Sequence, residues 1–132
     1  MSKHSVVLID DNPIFRMIFG NIIKNIEDID VDFTSYENAL EALDALTDAQ
    51  TVRSQSPDYI FVDINMPYMT GWEMMDKVQE ENYPFIQKSK VFIISSSHLE
   101  SDKEKINQYP FISAYVQKPV NMDTLKDLLA KS

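Results

Sequence analysis

Five side chains in this sequence are of types that do chemistry when brought together: the adjacent carboxylates Asp10 and Asp11, the carboxylate Asp63, the hydroxyl Ser95 and the ammonium Lys118. Carboxylates crowded at one place repel, and a hard divalent cation such as Mg²⁺ relieves the repulsion because it takes oxygen ligands and keeps several waters. Asp11 and Asp63 are the expected direct ligands, with Asp10 acting through water and the backbone carbonyl of Asn65 completing the protein's share. Such a cation also neutralises an incoming phosphoryl group and orients it for in-line attack by a carboxylate oxygen. Lys118 is then placed to pair with Asp63 or with its phosphoryl oxygens, and Ser95 to donate a hydrogen bond to those oxygens.

That chemistry requires elements that carry these residues to one place. Short apolar runs alternate with amphipathic stretches along the whole chain, the mark of a parallel α/β sheet covered on both faces. Five strand–helix units fit. Val6–Ile9 reads as a buried first strand, followed by a helix from about Pro13 in which Ile14, Ile18, Ile22 and Ile26 recur every four residues and Phe15, Phe19 and Ile23 widen the stripe. Val31–Ser35 is a more polar strand, as suits a sheet edge, and Leu40, Leu43 and Leu46 mark the next helix before a polar loop from Asp48 to Pro57. Tyr59–Val62 is the third strand, and Trp72, Met75 and Val78 mark the third helix. Val91–Ile94, a charged helix around Asp102 to Gln108, the short strand Ala114–Val116 and a helix with Met122, Leu125, Leu128 and Leu129 on one face complete the series. In such sheets ligands bind at the carboxyl ends of the strands. Asp10-Asp11, Asp63, Ser95 and Lys118 each follow a strand directly, so the topology predicts that they converge on one rim.

A chain of 132 residues fits a single domain, 1–132, with no room for an attached output domain. No apolar run is long enough to cross a bilayer, and Val6-Val7-Leu8-Ile9 is too short for a secretion signal, so a cytoplasmic location is expected and a membrane role is not. The absence of cysteine excludes disulfides and thiol chemistry, and a formal charge of -9 without a basic cluster disfavours nucleic acid as a partner. His4 and His98 read as ordinary surface or loop residues.

Taken singly, each site residue has a plainer explanation: Asp10-Asp11 would cap the first helix, Asp63 would be a turn residue and Lys118 a solvated charge. Taken together, in this order and on one rim, they resemble the receiver domains of bacterial response regulators over essentially the whole chain. The motifs that carry the resemblance are Asp10-Asp11, Asp63-Ile64-Asn65-Met66-Pro67-Tyr68-Met69-Thr70-Gly71, Ser95 and Lys118-Pro119, and the Asp63 loop is similar to that of chemotaxis-type single-domain regulators. The resemblance implies a flavodoxin-like, doubly wound five-stranded parallel sheet of order 2-1-3-4-5 with five helices. It implies that Asp63 accepts a phosphoryl group from a histidine kinase or histidine phosphotransfer protein, with Mg²⁺ required, and that the chain catalyses only its own phosphorylation and dephosphorylation. Tyr115 matches the family's switch aromatic, which turns inward as the Ser95 hydroxyl moves toward the phosphoryl group. Asn65 and Ser97 match the positions that tune hydrolysis of the phosphoaspartate. Serine replaces the more usual threonine at position 95, and Ser96 is the alternative for that role.

The implied readout is the surface of the fourth helix, fifth strand and fifth helix, toward an unidentified protein target or a second copy of the chain. Two other readings compete: a receiver-fold binding module that works without phosphate, and an aspartyl phosphohydrolase of the haloacid dehalogenase type. Asn65 stands where the latter needs a second acid, and an amide cannot supply that proton.

Overall fold

The computed structural model describes residues 3–51, 57–97 and 99–130, so His98 and residues 52–56 of the expected polar loop lie outside the described residues. The elements run β1 (Lys3–Ile9), α1 (Pro13–Lys24), β2 (Asp30–Tyr36), α2 (Ala39–Thr51), β3 (Tyr59–Asp63), α3 (Gly71–Glu80), β4 (Lys90–Ser95), α4 (Glu100–Lys105), β5 (Ile112–Gln117) and α5 (Met122–Ala130). The five strands are parallel in the order β2-β1-β3-β4-β5. This is the flavodoxin-like, doubly wound sheet, with its topological reversal between β1 and β3, where the first and third strands deliver their aspartates.

Alternation along the strands divides the interior into two cores. Tyr59 and Phe61 of β3 face a core with Phe19 and Ile23 of α1 and Leu125 and Leu129 of α5. Ile60 and Val62 face the opposite core, with Leu43 and Leu46 of α2 and Trp72, Met75 and Val78 of α3. β3 is buried at every position, as the middle strand of a two-sided sheet must be.

Several boundaries differ from the sequence expectation. The helix predicted to stop before Asp48 continues to Thr51, because a polar segment without glycine or proline has nothing to terminate it. The charged helix expected over Asp102 to Gln108 begins at Glu100 and tightens into a 3₁₀ turn at Ile106–Gln108, and a second 3₁₀ turn at Pro84–Gln87 had no expected counterpart. The isoleucine series that begins in α1 reaches the core only in its second half, at Ile22 and Ile26. Ile14 and Ile18 are 63% and 46% exposed, whereas Phe19 and Ile23 are buried. Residues four apart advance by about 40° around a helix, so a series of four rotates off the face on which it began.

Candidate functional site

The rim at the carboxyl end of the sheet gathers the three aspartates as the topology predicts. Asp10, directly after β1, is fully buried (0% exposed) and every polar group it carries is engaged. Its N–H donates to the Tyr36 carbonyl at 3.1 Å, its Oδ1 accepts the Asn12 N–H at 2.9 Å and its Oδ2 accepts Lys118 Nζ at 2.8 Å. Its carbonyl accepts Arg16 Nη1 at 2.8 Å. Asp11 is exposed, and Asp63, the last residue of β3, is 5% exposed. One oxygen from each of Asp10, Asp11 and Asp63 falls within 4.8 Å of the others. The helix cap is Asn12, not either aspartate: its Oδ1 accepts the N–H groups of Ile14 and Phe15, with Pro13 in the first turn. The aspartates are therefore free of the capping role that was their plainer reading.

Lys118 lies closer to Asp10 than to Asp63, at 2.8 Å against 3.7 Å from Asp63 Oδ1, so the ammonium bridges the two carboxylates and does not belong to Asp63 alone. Asp63 is pushed up from 3.8 to about 6, first by burial, then by the charge of Asp10 and, more weakly, of Asp11; Lys118 and the Asn65 backbone N–H pull the other way. One ammonium leaves the three carboxylates under-neutralised. Hard oxygen donors, net negative charge and an exposed member at the mouth form a donor set suited to a small divalent cation.

The loop after β3 is braced. Ile64 N–H donates to the Ile94 carbonyl at 3.2 Å, and Gly71 N–H returns to the Ile64 carbonyl at 2.8 Å. A Cβ on Gly71 would lie 2.5 Å from the Asp63 carbonyl oxygen, so only glycine lets α3 begin against the backbone of Asp63. Thr70 and Glu73 close a capping box, at 3.1 Å from the Glu73 N–H to Thr70 Oγ1 and 2.9 Å from the Thr70 N–H to Glu73 Oε1. Asn65 presents its side chain to solvent, and Met66, Met74 and Met75 are buried packing residues.

Ser95 ends β4 and is fully buried, while Ser96 is exposed, so of the two candidate hydroxyls only Ser95 is held on the sheet. Its Oγ accepts the Ser97 N–H at 3.0 Å, and its carbonyl accepts the Lys118 N–H at 2.8 Å. Tyr115 is half-buried, packs against the core that includes Trp72, and donates its hydroxyl to the Ser97 carbonyl at 3.2 Å. Ser97 Oγ donates to Asp102 at 2.6 Å.

Three residues of the site escaped the sequence reading. Phe15 places its ring 4.2 Å from Lys118 Nζ, a cation–π contact hidden inside an apolar stripe. Arg16 holds a backbone carbonyl, for which no pattern of side-chain types gives a signal. Asp102 enters the sequence expectation only as the start of a charged helix.

A family model described as the response regulator receiver domain matches residues 6–130. The chain is 26% identical over 129 residues to the polar-differentiation response regulator DivK of Brucella anthropi, covering 95% of each. Several other curated relatives are longer, and the chain spans 40%, 44% and 31% of the length of three of them. A crystal structure of a two-component response regulator from Cytophaga hutchinsonii superposes with a TM-score of 0.87 at 30% identity, over 97% of this chain and 95% of that one. The receiver domain of the sensor histidine kinase PA1611 from Pseudomonas aeruginosa, solved with a magnesium ion in its active-site cleft, shares the fold at a TM-score of 0.75 and 17% identity, over 98% and 97%.

Proposed function

The chain belongs to the response regulator receiver domains of two-component signalling, and from that premise we propose that it is a phosphorylation switch whose acceptor is Asp63. The observation that carries this reading is a buried carboxylate at a strand end, raised to about 6 and flanked by two further aspartates and one lysine. Ionised at neutral pH, Asp63 attacks the phosphorus of a phosphohistidine on a histidine kinase or histidine phosphotransfer protein. The new P–O bond forms as the P–N bond breaks, and the imidazole nitrogen keeps the electron pair. Lys118, within 3.7 Å of Asp63, then pairs with a phosphoryl oxygen, and Ser95 donates its hydroxyl proton to another.

Asp11, Asp63 and the Asn65 carbonyl would hold Mg²⁺, with Asp10 reaching it through water because its own oxygens already serve Lys118 and Asn12. When bound, the ion supplies charge neutralisation for the carboxylates and for the phosphoryl group. Asn65 and Ser97 are, on this reading, the residues that tune how readily water hydrolyses the phosphoaspartate. Tyr115 is the switch aromatic, and α4, β5 and α5 form the surface that a protein target or a second copy reads. The chain acts on no substrate but itself and works in the cytoplasm, without nucleic acid or membrane as partner.

Exposed apolar residues at the carboxyl end of the sheet support a protein donor. Ile14 in the first turn of α1, Tyr68 in the β3–α3 loop, Leu99 just before α4 and Met122 at the start of α5 are exposed. Large exposed apolar groups around a polar site suit docking of another macromolecule.

Intact-mass spectrometry after incubation with acetyl phosphate and Mg²⁺ tests the reading. A labile phosphate-sized increase, lost in Asp63→Asn and in EDTA, is expected. A chain that gains no mass with acetyl phosphate, beryllofluoride or a panel of histidine kinases is a phosphate-independent binding module instead.

A further inference from the structure

Ser97 is tied at every polar group it has. Its N–H donates to Ser95 Oγ at 3.0 Å, its carbonyl accepts the Tyr115 hydroxyl at 3.2 Å, and its Oγ accepts the Leu99 N–H at 3.2 Å while donating to Asp102 Oδ2 at 2.6 Å. A serine hydroxyl has one proton, and here an acidic side chain on α4 takes it, which fixes both the side chain and the turn that carries the carbonyl. The anchoring is light: α4 buries none of its side chains, no side chain caps its first turn, and Lys105 reaches the Trp72 ring at 5.3 Å. Among the described residues, the Ser97–Asp102 contact is a side-chain link that joins α4 to the end of β4.

We propose that Asp102 is a positioning residue, which by holding Ser97 keeps the Ser95 hydroxyl and the Tyr115 ring in the arrangement that receives a phosphoryl group on Asp63. The proposal rests on the reading of Asp63 as phosphoacceptor. Its physical basis is the direction of the hydrogen bonds. Ser95 Oγ serves Ser97 as an acceptor, so the Ser95 proton stays available for a phosphoryl oxygen. Tyr115 is held half-buried by the same residue's carbonyl. Without Asp102 the Ser97 hydroxyl loses its acceptor, the turn is released, and both Ser95 and Tyr115 lose their fixed partner.

The test is a titration of the Mg²⁺-saturated full chain with beryllofluoride, followed by ¹⁹F NMR of the bound fluoride, with the Tyr115 ring resonances read on the same samples. Asp102→Ala is expected to weaken beryllofluoride binding about tenfold, the worth of one charge-assisted hydrogen bond, and to shift the Tyr115 resonances toward solvent-exposed values. Mg²⁺ affinity should not change. Asp102→Asn keeps a carbonyl oxygen for Ser97 and should recover most of the binding. Ser97→Ala should match Asp102→Ala, and the double variant should be no weaker than either single one. Wild-type binding in Asp102→Ala, additive losses in the double variant, or parallel loss of Mg²⁺ affinity overturns the positioning role alone. A wild-type chain that takes up no beryllofluoride overturns the phosphoacceptor reading and this inference with it.

Discussion

The loop after β3 and the loop after β4 both end at the acidic rim, and they are held in different ways. The first is fixed by backbone: Ile64 is bonded to β4, Gly71 is pressed against the carbonyl of Asp63, and Thr70 and Glu73 seal the start of a helix with five buried residues. The second is fixed by side chains: Ser97 reaches Asp102 and Tyr115, and the helix that follows buries nothing. Backbone packing without free volume resists displacement, whereas a few half-exposed hydrogen bonds exchange at low cost. If Asp63 is the phosphoacceptor proposed above, it lies beside the stiff loop, and the Ser95 hydroxyl, itself buried at the end of β4, lies beside the soft one, the division a switch needs.

Gly71→Ala attacks the stiff side directly. With backbone atoms at 2.5 and 3.0 Å from the added Cβ, unfolding free energy should fall by about 3 kcal/mol in urea titrations. Any loss below about 1 kcal/mol would show that the β3–α3 loop yields as readily as its neighbour.

Asp63→Asn should act in the opposite direction, and only over part of the pH range. Because the folded protein raises Asp63 from 3.8 to about 6, protonation favours the fold. That contribution is complete below about 3.8 and is lost as pH rises through about 6. A shift of this size corresponds to about 3 kcal/mol at most, and solvent at the cleft mouth reduces it to about 1–2 kcal/mol. In metal-free buffer the variant should thus be more stable than wild type at pH 8 by that amount and equal to it at pH 4, with added Mg²⁺ narrowing the difference. A pH-independent gain would mean that charge is not its source.

Thr70→Ala removes half of the capping box and should cost about 1 kcal/mol by thermal denaturation. On the soft side, Lys103→Ala breaks only the 3.9 Å exposed pair with Glu100 and should change stability by less than about 0.5 kcal/mol. Equal costs for these two substitutions would erase the contrast between α3 and α4.

The parallel α/β architecture and the meeting of Asp10, Asp11, Asp63, Ser95 and Lys118 were legible in the sequence, because each residue closely follows an apolar run and parallel sheets converge at one end, while the strand order came with the family resemblance. What escaped has identifiable causes. Ile14 and Ile18 looked like core because apolar spacing does not reveal the drift of a helical face. Lys118 was assigned to Asp63 although Asp10 lies nearer, since sequence order says nothing about distances within a rim. Phe15, Arg16 and Asp102 act through a ring face, a backbone carbonyl and a second hydroxyl, and no pattern of residue types encodes those.

Trp72, the chain's one tryptophan, lies between the two sides. It opens α3 next to Gly71, stacks on Tyr109 at 5.7 Å, and is covered by Lys105 of α4 at 5.3 Å. Tyr109 is in turn bonded to Asp76 of α3 at 2.6 Å. The indole thus touches both the braced side of the rim and the side held by side chains. In optical terms the protein carries its own gauge: a displacement of α4 relative to α3 would take a cation from the ring face and alter the emission of a single fluorophore, without any label.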